Sequence, residues 1–224
     1  MKEKQLANDN MKYIAVVVVI AVFVVGLGAG MFLNSGTGTT TSEPYHLNLV
    51  ITDNNEFNSS VGSQPAYFVL QNGALVSSAQ IHVPVNKKVE VTISNYDDGA
   101  DPVNDTSLGQ VKGTVNNTML VVTDEVGLAT QDANGQEIHA DAQYVSSVGL
   151  DNISHTFTVE DPNNGYAVVM NIPIEPSSTV TFMAIFSTKG TFHWQCFIPC
   201  GSGPSGWDAS MSTPGWMTGD LIVG

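Results

Sequence analysis

No segment beyond residue 33 keeps a helical period for more than two turns. The chain breaks instead into short runs rich in Val, Ile, Thr and aromatics, at 46–51, 66–70, 88–93, 119–123, 153–159, 166–172 and 180–186. Clusters of Gly, Asn, Asp and Pro separate them, as turns separate strands. Residues 88–94 alternate cleanly, with Val89, Val91 and Ile93 on one face and Lys88, Glu90, Thr92 and Ser94 on the other. That period of two marks a half-buried strand. An all-β antiparallel sandwich or Greek-key barrel over residues 45–224 follows. Within it, 98–151 is the least regular stretch, polar and loop-like, and is expected to be an insertion between two core strands. No internal repeat is visible.

The exception to this texture lies near the start. Residues 14–33 are twenty consecutive uncharged positions dominated by Val, Ala, Ile and Gly, long enough to cross a bilayer as one helix. Lys2, Lys4 and Lys12 precede them, and the next cation is Lys87. That asymmetry predicts a single-pass anchor in the cell membrane, with residues 1–13 inside and everything after the helix outside. A cleaved signal peptide is the competing reading; its apolar region is usually shorter and ends in a small-x-small site. Residues 34–44, NSGTGTTTSEP, form a flexible polar tether to the domain at 45–224.

Charge excludes one class of partner. The chain has no arginine and a net charge of −14, so it repels phosphate backbones and is not expected to bind nucleic acid. Asn-x-Ser/Thr sequons at Asn58, Asn104, Asn116 and Asn152 are candidate glycan sites on an exported glycoprotein. No Gly-x-Ser-x-Gly, His-Glu-x-x-His or paired-carboxylate motif appears, which disfavours a hydrolase.

Chemistry concentrates in residues 191–217, TFHWQCFIPCGSGPSGWDASMSTPGWM, which hold both cysteines and all three tryptophans. Phe192, Trp194 and Cys196 alternate with Thr191, His193 and Gln195, so an apolar strand face ends in a sulfur. Cys200 follows, then a Gly-, Pro- and Ser-rich loop closed by Met211 and Met217. Soft sulfur donors at the end of a strand suit copper. Two thiols on an exported chain equally suit a disulfide, which over so small a loop stabilises by only ~2 kcal/mol. The bland readings stand beside these: His155 as a buried histidine bonded to backbone, and Met211 and Met217 as core contacts to aromatic rings. The tryptophans are read as core, and His46, His82, His139 and His193 as surface residues.

Several segments resemble the cupredoxin superfamily. IHVPVNKKVEVTISNYD (81–97) is similar to its Pro-containing edge and Val/Thr strand. SHTFTV (154–159) is similar to the segment supplying the first copper histidine, and IPIEPSSTVTFMAIFSTKGTFHWQC (172–196) to the hairpin leading to the copper cysteine. The spacing Cys196, Cys200, Gly201 resembles that of cytochrome c oxidase subunit II, whose extracytoplasmic domain follows a membrane anchor and carries a dinuclear copper centre. Where that family places a histidine and a methionine after the second cysteine, this chain has Pro204 and Trp207. The resemblance therefore implies copper held by His155, Cys196 and Cys200 with Met211 or Met217. Ile198 stands where the family offers a backbone carbonyl.

Two functions follow from it. One is a membrane-anchored electron-transfer subunit of a terminal oxidase, or a copper carrier, in a respiratory chain; at most it is a non-catalytic subunit, partnered by oxidase subunits or another redox protein. The other is a metal-free docking subunit of the same fold, stapled by a Cys196–Cys200 disulfide.

Overall fold

The computed structural model describes residues 43–53, 64–123, 130–131, 137–138 and 141–224. The expected anchor at 14–33, the tether up to residue 42, Asn58 and His139 lie outside the described residues. Among the described residues no helix is long and apolar enough to cross a membrane.

The chain from residue 43 onward is two facing β-sheets. The larger is built from β1 (Tyr45–Thr52), β2 (Ala66–Gln71), β3 (Ala74–Ser77), β5 (Lys88–Asn95), β6 (Met119–Thr123), β9 (Asp141–Val145) and β12 (Ser178–Ile185). Its spatial order is β3-β2-β1-β5-β12-β6-β9, parallel only between β1 and β5. The smaller contains β4 (Gln80–Val83), β10 (His155–Asp161), β11 (Ala167–Ile174), β13 (Gly190–Gln195) and β14 (Thr218–Val223). Its order is β11-β10-β13-β14-β4, with β14 parallel to β4. A two-residue pair, β7 (Thr130–Gln131) with β8 (Glu137–Ile138), stands apart.

The alternation that predicted strands also aims their side chains. In β5, Val89, Val91 and Ile93 are buried, as are Leu47, Leu49 and Ile51 of β1 and Val180, Phe182 and Ala184 of β12. They meet Phe157, Val159, Ile172, Trp194 and Leu221 of the other sheet in one continuous core. A one-residue register slip would turn each of these sets to solvent, so the pattern fixes the pairing. The β2–β3 hairpin turns on Asn72 and Gly73, both at positive φ (52° and 78°), the pairing that a two-residue turn requires.

The stretch at 98–151, expected as a loop-like insertion around the run at 119–123, holds that run as β6 and adds the shorter β7, β8 and β9. β6 pairs with β12 through Val121↔Val180, β9 pairs with β6, and Met119 and Val121 are buried. The polar appearance came from the connections; Gln110 to Ser147 and Lys112 to Asn171 are bridged across it. β14, which the sequence did not announce, follows directly on Met217.

Candidate metal centre

The site lies where β10 begins and β13 ends. These strands pair as Thr158↔Gln195, Val159↔Trp194 and Glu160↔His193. One step beyond the ladder, the same register sets Phe157 against Cys196 and Thr156 against Phe197. There the strands part. The Thr156 N–H goes to Cys196 Sγ at 3.4 Å, and the Phe197 N–H goes to the Thr156 hydroxyl at 2.8 Å. The splay lets a sulfur occupy a place that backbone would otherwise fill.

The opening brings three candidate ligands together. His155 Nδ1 lies 3.1 Å from Cys200 Sγ and 3.9 Å from Cys196 Sγ, and the two sulfurs are 3.6 Å apart. His155 and Cys196 are buried, Cys200 half-buried. The thiols are unbonded; a disulfide would need the sulfurs about 1.5 Å closer. The Ile198 carbonyl lies 3.1 Å from Cys200 Sγ and 3.6 Å from Cys196 Sγ.

The loop that carries the sulfurs is fastened at several points. Met217 O accepts the Cys196 N–H at 2.9 Å, Met217 N–H donates to Ser210 O at 3.0 Å, and the Ser210 hydroxyl donates to Cys200 O at 3.2 Å. Gly201 packs so tightly on the Asp208 carbonyl that any Cβ there would collide with it, which is why glycine follows the second cysteine. Met211 and Met217 are both buried in this return of the chain, and Met217 is tied to Cys196 through backbone. Pro204 is exposed on the loop's outer side. Trp194 and Trp216 are buried as expected, but Trp207 is 40% exposed; the tight Gly-rich turn presents it outward.

The second sheet supplies two residues the sequence reading missed. Asp97, two positions beyond β5, lies with Oδ2 3.1 Å from His155 Nε2. Its other oxygen accepts the Gly99 N–H at 2.9 Å. Tyr67 of β2, fully buried, donates its hydroxyl to Thr156 O at 3.0 Å and meets the His155 ring edge-on at 6.4 Å between centroids. Nothing in local sequence links Asp97 to a histidine 58 positions away; only the sheet pairing does. The remaining described histidines are apart from the site. His46 pairs with Glu90 at the surface, His82 is exposed, and His193 lies between Gln195 and Thr218.

Charge is shared along this line of groups. Burial works against ionising the imidazole, but the bond to Asp97 and the neighbouring Cys196 thiolate outweigh it and raise His155 to about 9. Burial likewise opposes ionising Asp97, and the His155 bond and the Gly99 N–H hold its carboxyl below the usual range. Cys196 follows the same logic: despite burial, bonds from Cys200, His155 and the Thr156 N–H push its thiol well down. Cys200 is pushed well up by its bond to Cys196, by burial, and by the charges of Cys196, Asp97 and Asp101. These shifts favour charge on Asp97 and Cys196 and protons on His155 and Cys200. Tyr67 is held protonated by burial and by the adjacent thiolate charge.

The donor set fits a soft metal ion. The three edges, 3.1, 3.6 and 3.9 Å, average about 3.5 Å, and the centre of such a triangle is about 2.0 Å from each corner, close to common metal–nitrogen and metal–sulfur bond lengths. One imidazole and two thiolates are ligands that copper takes readily. His155, Cys196 and Cys200 would hold the ion, and it would supply one-electron redox chemistry.

No protein-family model matches the chain, and no curated protein matches it. Solved structures similar to it include rusticyanin from Thiobacillus ferrooxidans, at 14% identity over 85% of each chain with a TM-score of 0.35. A chain of a heme-copper terminal oxidase dimer matches at 14% identity, over 97% of this chain and 99% of that one, with a TM-score of 0.33. A multicopper oxidase from Campylobacter jejuni, described as a metallo-oxidase, matches at 12% identity and a TM-score of 0.37; the match covers 84% of this chain but only 32% of the oxidase. Likeness at this level carries no functional weight.

Proposed function

We propose that this protein is a membrane-anchored, extracytoplasmic, cupredoxin-like copper protein that passes electrons in a respiratory chain, as a subunit II-like component of a terminal oxidase or as a copper carrier. The observation that carries this reading is the buried triangle of His155 Nδ1, Cys196 Sγ and Cys200 Sγ. A ligand set held before the metal arrives limits reorganisation between oxidation states, which electron transfer rewards. Met217 or Met211 would complete the set. The uncharged run at 14–33 and the lysines before it support the anchor and the outward domain.

The test is copper addition to the full-length chain, read as thiolate-to-copper absorption in the visible. Uptake with that band is expected, as is its loss in Cys196→Ser and a weakened site in His155→Ala. Copper retained through both substitutions overturns the ligand set. The second reading, a copper-free docking subunit, draws on exposed Pro204 and Trp207 standing where further ligands would be. A native mass two units below the dithiol, with no copper uptake after reduction, would establish it.

A further inference from the structure

Between the smaller sheet and the 108–112 turn runs a line of buried polar side chains that the metal site does not itself use. Thr158 and Asn171 are 1% and 4% exposed, so each needs its polar atoms bonded. Asn171 Nδ2 donates to Leu108 O at 3.0 Å and to Gln110 O at 2.8 Å. Both amide protons are thereby used, and its Oδ1 accepts from the Thr158 hydroxyl at 2.7 Å. The Thr158 hydroxyl also lies 3.0 Å from the Thr156 hydroxyl, whose oxygen accepts the Phe197 N–H. The line is continuous from the Phe197 peptide out to the 108–110 carbonyls.

The peptide at the inner end is the one joining Cys196 to Phe197, and it lies past the last ladder pair. A side-chain hydroxyl, not a strand partner, holds its N–H. We infer that Thr158 and Asn171 are positioning residues of the metal site, which tie the Cys196–Phe197 peptide to the 108–110 turn through Thr156. The inference deepens the copper reading and rests on it for the word metal; the mechanical link stands on the hydrogen bonds alone.

The test uses the full chain with Thr158→Val and Thr158→Ser. In metal-free protein, the valine should speed amide exchange at Phe197 about tenfold, the equivalent of one buried hydrogen bond. The serine should restore the original rate, and amides of β5 and β12 should be unchanged. After addition of Cu(II), the valine variant's thiolate-to-copper band should shift or broaden while the serine variant's does not. Unchanged Phe197 exchange, equal acceleration across both sheets, or an unchanged band would overturn the inference. Should the valine variant not fold, Gly109→Ala decides: its Cβ would come 2.7 Å from the Val148 carbonyl and must displace the turn. Faster Phe197 exchange in that variant supports the link, and an unchanged rate overturns it. A wild-type chain that takes up no copper removes the proposed function, while the exchange rates still decide the positioning claim.

Discussion

Midway between the sheets, Leu49, Ile93, Phe182 and Leu221 are as buried as His155, Thr156 and Thr158 at the site end. The first group is apolar and its attraction has no direction, so any side chain of similar volume and shape costs little there. The second group is polar, and each member is satisfied by specific partners in one orientation. Removing a core side chain therefore lowers stability by degrees, whereas removing a site side chain leaves a named atom without a partner. Burial alone does not separate scaffold from site; the direction of what is buried does.

The largest effect should come from the scaffold. Trp194 is fully buried, packs on Tyr67 at 5.2 Å and Phe157 at 5.6 Å between centroids, and donates to Ser78 O at 3.1 Å. Trp194→Ala should cost about 3–5 kcal/mol in denaturant unfolding. A loss below about 1 kcal/mol would mean that the two regions are not packed as described.

At the site end the signature is pH. The folded pKa of His155 is raised to about 9, so its contribution is complete below its unfolded value near ~6.5 and disappears as pH rises through about 9. Asp97 is lowered, so its contribution is present above about 3.9 and is lost as pH falls through its folded value. Cys196 is lowered as well, so its contribution is also lost as pH falls. Melting of the metal-free chain should thus weaken toward acid, and again above about 9 where His155 and Cys200 give up their protons. Asp97→Asn should flatten the acid limb. An acid limb unaltered by that substitution would detach Asp97 from the site.

The same protonation pattern sharpens the copper reading. His155 and Cys200 are both shifted toward holding protons that a metal must displace, while Cys196 is shifted toward giving its proton up. Copper uptake in weak buffer should release about two protons per ion; one would mean that either His155 or Cys200 is not a ligand. Smaller still, Ser210→Ala removes the hydroxyl bond to the Cys200 carbonyl and should cost about 1 kcal/mol. Smallest is Glu90→Gln, which breaks a pair to His46 whose side chains are 30% and 47% exposed; thermal unfolding should register less than about 0.5 kcal/mol.

Much of this was legible before any coordinates. The β alternation of 88–94 and the all-β class are local patterns, and local patterns survive folding. His155, Cys196 and Cys200 were named through the resemblance to cupredoxins, and the fold brings the three side chains together. Asp97 and Tyr67 were not legible, because they reach the site from the other sheet and only strand order brings them there. Trp207 was assigned to the core on its chemistry alone, but the glycines around it turn it outward. The roles of Thr158 and Asn171 were hidden for another reason. Each looks like an ordinary sheet residue until its side-chain bonds are followed from strand to strand.

The central claim is that one nitrogen and two sulfurs converge on a single buried point. X-ray absorption at the copper edge of the loaded full-length chain tests it most directly. Two sulfur neighbours and one nitrogen neighbour at about 2.0–2.3 Å are expected. A shell of nitrogen and oxygen with no sulfur would contradict the account.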